Sequence, residues 1–152
     1  MDCIFCKIIK GEIPAAKIYE DNNFLAFLDI SPVNKGHTLV VPKEHYENLM
    51  ETPDELVRDL WVVVKKVALA VKKTVKADGL NFCANNGQAA GQIIFHTHIH
   101  VIPRFTSDHF KNWPNQKYNN GEIEKVAEEI GKKLKNKVKK IYEKNKIRYQ
   151  KH

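Results

Sequence analysis

Apolar and polar positions change period from block to block along this chain, and each block predicts an element. "CIFCKIIKG" is a short apolar run closed by Gly11, which predicts an N-terminal helix or knuckle. "AKIYED" alternates and "FLAFLDI" runs apolar, with the turn-formers Asp21, Asn22 and Asn23 between them, a hairpin pattern. "SPVNKG" reads as a loop and "HTLVVP" as a third strand ending at Pro42. Thr52-Pro53-Asp54-Glu55 predicts a helix start with a Thr cap, a proline in the first turn and a Glu three residues after the cap. The helix that follows carries Leu56, Leu60, Val63, Val64, Val67, Val71 and Val75 on one face and ends near Gly79. "LNFCAN" predicts a fourth strand, "NGQAAGQ" a glycine-bearing loop, and residues 98–103 a fifth strand halted by Pro103. From about Gly121 a second helix presents Ile123, Val126, Ile130, Leu134, Val138 and Ile141 as a stripe, weakened locally by Gly131. Short-looped strands with one long helix inserted predict an α+β domain. Its expected form is an antiparallel five-stranded sheet with one long central helix, plus a C-terminal lysine-rich helix. The domain is placed at residues 1–115 and the basic helical extension at 116–152.

One apolar block carries chemistry. "FHTHIHVIPR", residues 95–104, sets His96, His98 and His100 at alternate positions, so in a strand all three share a face. At about 3.3 Å per residue the outer two stand roughly 13 Å apart. An ion with bonds near 2.1 Å can take two neighbouring histidines but hardly all three. A face with three imidazoles is no ordinary core face; it predicts a cleft, a metal site or both. Cys3-x2-Cys6 reads equally as half a metal site or as two buried thiols, and further ligands could come from His37, His45, His109 or one of the triad. In the loop before the triad, Gly87 and Gly91 would let backbone approach a phosphate, with Asn85 and Gln92 as neutral donors; a polar turn is the plainer reading.

Charge changes the picture only at the C-terminus. Residues 132–152 carry ten Lys/Arg and one acid, whereas residues 1–131 carry 15 basic and 17 acidic residues. The pattern favours a solvated lysine-rich helix over a nucleic-acid-binding tail. No stretch is apolar enough to span a membrane, and "MDCIFCKIIKGEIP" does not read as a signal peptide. Three cysteines, an odd number, argue against a disulfide framework and for a reducing compartment, with cytoplasm the default expectation.

The run His96-Thr97-His98-Ile99-His100-Val101-Ile102 resembles the His-φ-His-φ-His-φ-φ motif of the histidine triad (HIT) family of nucleotide-binding hydrolases and transferases, with Thr97 a mild departure. "CIFCKIIKGEIPAAKIYED", "FLAFLDISPVNKGHTLVVPKEH", the "GQ" before the triad and "IPRF" after it are similar to its zinc-containing bacterial and archaeal branch. The resemblance covers residues 3–113. It implies a structural zinc held by Cys3, Cys6, His45 and His96. It also implies His98 as the nucleophile that forms a covalent nucleotidyl-histidine, oriented by a backbone carbonyl near the first triad histidine, with His100 on a phosphate oxygen. Asp29 is implied as the ribose-binding acid, Asn85, Gly91 and Gln92 as lining the phosphate and leaving-group site with Gln92 assisting catalysis, and Phe27 and Ile30 as flanking the base. The implied substrate is a purine nucleoside phosphoramidate or a dinucleoside polyphosphate, and the implied assembly is a homodimer with sheets extended across the interface. Many relatives carry Ser or Thr immediately after "GQ"; Ile93 stands there, which bears on the leaving group. Two other readings accompany this one. One is a nucleotide-binding or interaction protein with vestigial catalysis and a nucleic-acid-binding tail; the other is a hydrolytic zinc enzyme using the triad as metal ligands.

Overall fold

The computed structural model describes residues 2–111 and 113–149, with side chains in the last helix described as far as residue 135. Residues Met1–His109 and Phe110–His152 form two separate compact units.

In the first unit, the Asp21 carboxylate makes the first turn. Its Oδ1 accepts from the backbone N–H groups of Asn23 (2.8 Å) and Phe24 (2.7 Å), folding β1 (Lys17–Glu20) back on β2 (Phe24–Leu28). Strand β3 (Thr38–Pro42) pairs with β2 from Phe24↔Pro42 to Leu28↔Thr38. β5 (Ile99–Arg104) lies between β3 and β4 (Gly79–Cys83), giving the antiparallel order β1-β2-β3-β5-β4. β2 and β3 read as apolar runs because both of their faces are covered. Helix α2 (Asp54–Val75) packs Leu60, Val63, Val64, Val67, Ala68 and Val71 onto Phe24, Ala26, Val40, Ile99 and Val101. On the opposite face, Phe5 and Ile8 of α1 (Ile4–Ile9) seal Leu25, Phe27, Leu39 and Val41. Fully burying an aliphatic or aromatic side chain contributes about 1.5–3 kcal/mol, so packing fixes α1, which is too short to persist alone.

Three expectations are corrected at element ends. Thr52 does not cap α2: its hydroxyl bonds Asn48 O (3.0 Å) and Thr97 Oγ1 (2.8 Å), joining the helix entry to the triad segment. α2 stops at Val75, where Lys76 turns left-handed at φ 55°, before Gly79 opens β4. β5 begins only at Ile99, so His96 and His98 sit in an irregular approach to the strand. There Thr97 N–H bonds Tyr46 O (2.7 Å), drawing the backbone out of the ladder.

In the second unit, α3 (Glu122–Tyr149) starts with a reciprocal cap: Glu122 N–H bonds Asn119 O, and Glu122 Oε2 accepts from Asn119 N–H at 2.7 Å. Val138 and Ile141 of the expected stripe fall beyond the described side chains. No described helix is long and apolar enough to cross a membrane.

Candidate active site and metal centre

A cleft of about 510 Å³ opens on the α1 face of the sheet. The end of β2 supplies Phe27, Leu28, Asp29 and Ile30, and β5 with its approach supplies His98 and His100. Ile4, Phe5 and Ile8 of α1 close one side, and Asn85, Gly91, Ile93 and Ile94 the other. The volume suits a small-molecule ligand, and the described residues of its lining include neither Lys nor Arg. Phe27 is buried against the edge of Phe5, with ring centroids 5.5 Å apart, whereas Ile30 at 96% and Ile93 at 83% exposure stand open at the rim. Asp29 Oδ1 accepts from Ser31 N–H (2.8 Å), which turns the chain out of β2 and fixes the carboxylate at the cleft.

Gln92 is elsewhere. It is buried at 3% exposure; its Nε2 donates to Glu47 O (2.6 Å) and Ile94 O (3.1 Å), and its Oε1 accepts from Gly87 N–H (2.8 Å). The amide is committed to holding the 85–94 loop, whose turns use left-handed Gly87 (φ 86°) and Gly91 (φ 80°). Asn85 Nδ2 donates to Gly91 O at 3.2 Å across the same loop.

The triad histidines carry their protons on different nitrogens. His98 Nδ1 lies 2.6 Å from His96 O, and since a carbonyl only accepts, Nδ1 bears the proton and Nε2 keeps its lone pair. Val33 N–H donates to His37 Nδ1 (3.1 Å), so the His37 proton sits on Nε2 and is given to His100 Nδ1 at 2.9 Å. His100 therefore carries its own proton on Nε2. Burial pushes the pKa values of His37 and His98 below the ordinary value, with the Asp29 carboxylate opposing it in both. Burial and the neighbouring imidazoles lower His100 to about 4. All three rings are neutral near pH 7. Asp29, His37 and His100 also lie within ligand distance of one another, but the hydrogen bond between the two rings already accounts for that approach.

The first triad histidine faces away from this relay. His96 is fully buried, and its Nε2–H donates to Pro42 O at 2.8 Å, which leaves Nδ1 bare. That bare nitrogen lies 3.5 Å from Cys3 Sγ, 3.6 Å from Cys6 Sγ and 3.2 Å from His45 Nδ1; Cys6 Sγ is 3.4 Å from His45 Nδ1. Zinc bonds of about 2.3 Å to sulfur and 2.0–2.1 Å to nitrogen at tetrahedral angles put S and N about 3.5 Å apart and two N about 3.3 Å apart. The four residues thus fit a Cys2His2 site, and the Pro42 carbonyl is the outer partner that orients a ligating imidazole. Four protein donors leave no open position.

Sequence reasoning named His37 only as one possible metal ligand, and it missed α1 as a cleft wall. The signal for His37 was a lone histidine opening an apolar strand; its pairing with His100 depends on cross-strand neighbours. For α1 it was the Ile4/Ile8 and Phe5/Ile9 repeat, readable as an apolar helix face.

Protein hit of Bacillus subtilis is 56% identical over 104 residues, spanning 68% of this chain and 72% of that protein. Adenosine 5′-monophosphoramidase hnt1 of Schizosaccharomyces pombe is 42% identical over 137 residues, spanning 89% of this chain and all of that protein. The crystal structure of a zinc-bound histidine triad family protein from Mycobacterium smegmatis matches with a TM-score of 0.70 at 44% identity, covering 77% of this chain and 85% of that one. Residues 10–107 match the HIT domain, and the chain belongs to the HIT family.

Proposed function

We propose that the protein is a nucleotidyl hydrolase that cleaves a purine nucleoside phosphoramidate at the α-phosphorus through a covalent nucleotidyl-His98. The observation that carries this reading is the 2.6 Å contact from His98 Nδ1 to His96 O, which leaves a neutral Nε2 lone pair in the cleft. Nε2 forms a bond to phosphorus as the P–N bond breaks, and the amine departs with a proton from solvent. Water then attacks phosphorus, the P–Nε2 bond breaks, and a nucleoside monophosphate leaves. His100, holding a proton on Nε2, donates to a non-bridging oxygen as charge builds there. Asp29 accepts from the ribose hydroxyls, Phe27 and Ile30 flank the base, and Asn85 and Gly91 line the phosphate side. Gln92 acts through the loop it ties down.

A dinucleoside polyphosphate is the second substrate class. The described lining, without Lys or Arg, favours the amine, because none of its residues would offer a leaving polyphosphate a cation. The match to a monophosphoramidase supports the same choice. The Cys3/Cys6/His45/His96 cluster would hold zinc as a structural ion, supported by the zinc-bound relative and by the donor spacing. The reading includes a homodimer, supported by the open edge of β4 and by exposed Trp61, Leu69 and Phe82. The cysteines are free, as a cytoplasmic protein's would be.

Brief mixing with adenosine 5′-phosphoramidate should show an adenylylated protein by intact mass and release AMP. His98→Ala should form no adduct and lose more than about 10³-fold in turnover. Equal turnover by the two proteins would remove the covalent mechanism. Faster cleavage of diadenosine polyphosphate by the wild type would reverse the substrate choice.

A further inference from the structure

Within its own unit, the apolar stripe of α3 is uncovered as far as its side chains are described. Ile123, Ile130 and Leu134 are 52%, 55% and 60% exposed, and with Val126 they repeat at three- and four-residue steps along one side of the helix. At 1.5 Å per residue α3 is about 42 Å long, and an apolar line on a helix otherwise this charged calls for a covering surface. The charge along it is split. Residues 121–131 carry four Glu and one Lys, a net of −3, whereas residues 132–144 carry seven Lys and one Glu, a net of +6.

We propose that α3 pairs with α3 of a second copy of this chain in antiparallel orientation. The antiparallel arrangement lays the acidic start of each helix against the lysine-rich stretch of the other, while a parallel one sets lysine run against lysine run. Charges flanking an apolar seam decide helix orientation in this way. The charge changes sign at residue 132, so an antiparallel pair centred there sets Ile130 of one copy beside Leu134 of the other. The same lysines that repel in a parallel pair complete the antiparallel one, which makes a second copy the fitting occupant. This contact does not rest on the hydrolase reading.

Full-length Ile130→Cys and Leu134→Cys, each with Cys83→Ser, are mixed, oxidised mildly at micromolar concentration and resolved without reductant, the linked peptides being identified by mass. A disulfide forms only where Cα atoms come within about 7 Å. The expected result is a mixed 130–134 product at least fivefold above either self-product. Glu128→Lys with Glu129→Lys on one partner should reduce it severalfold. All of these positions except Cys83 lie on α3, so unchanged thermal melting serves as the folding control. Equal self-linking of Ile130→Cys would mean a parallel pair and overturn the proposal. So would absence of any α3 link, including the case where the helix instead binds single-stranded RNA in a salt-dependent manner.

Discussion

His100 is held between two other imidazoles and a carboxylate, and its protonation state links the cleft to stability. His37 donates to its Nδ1 from one side, His98 lies edge-on at 4.9 Å from the other, and Asp29 opposes both with negative charge. Burial dominates, and the ring titrates at about 4 in the fold against 6.5 in an open chain. A base with a lowered folded pKa contributes stability that is complete above pH 6.5. Between 6.5 and 4 the unfolded chain binds the proton first, so stability falls as pH falls, and below 4 the loss levels off. His37 shifts in the same direction. Allowing for solvent in this half-open cleft, the loss attributable to His100 is roughly 1–2 kcal/mol. Urea denaturation at pH 7.5 and pH 5.0, with and without His100→Asn at the same metal content, checks it. The variant should lose less stability on acidification than the wild type, and an equal loss would contradict the assignment. Sequence alone showed three imidazoles on one face but not their protons, because each proton is assigned by a backbone carbonyl or by His37, groups brought in from other segments.

At the scale of elements, the turn from residue 33 to β3 matters most, since it aims His37 at His100. Gly36 occupies that turn at φ 91°, and a Cβ there would meet Val75 Cγ1 at 2.8 Å, at the end of α2. The backbone conformation costs an L-residue about 1–2 kcal/mol, and forcing a methyl against a stiff valine adds about 1–3 kcal/mol. Gly36→Ala should therefore lower unfolding stability by about 2–5 kcal/mol in chemical denaturation, and a change below about 0.5 kcal/mol would show that the α2 end yields freely. Element types were legible where period and length agreed, as in α2 and the β2–β3 runs. Ends were less legible, because tertiary partners decide them: Thr52 had the chemistry of a cap, yet Thr97 and Asn48 claim its hydroxyl. For Gln92, too, the sequence offered a neutral donor without its partners, which are the Glu47 and Ile94 carbonyls and the Gly87 amide. Short polar side chains offer several local partners, and sequence does not rank them.

For the domain as a whole, the Cys2His2 cluster joins segments that the sheet does not. Cys3 and Cys6 belong to the six-residue α1 and its entry, His45 to the segment after β3, and His96 to the approach to β5. Without the metal only packing, chiefly of Phe5 and Ile8, holds α1, so the sheet and α2 should survive metal removal while α1 loosens. A ligand bound only by the folded state stabilises it by mass action, and a closed four-ligand zinc site is worth several kcal/mol. For a chain of this size 1 kcal/mol moves Tm by about 2–4 °C, so chelation should lower Tm by roughly 10 °C or more, with readdition of zinc restoring it. Hydrogen exchange should locate the loosening at residues 4–9, with the amides of β2 and β3 still protected. Since Ile4, Phe5 and Ile8 also wall the cleft, the same treatment should weaken nucleotide binding without any catalytic histidine having changed. An unshifted Tm, together with no zinc in the purified protein, would reduce the cluster to two thiols and two imidazoles packed together. In that case α1 would depend on its apolar contacts alone.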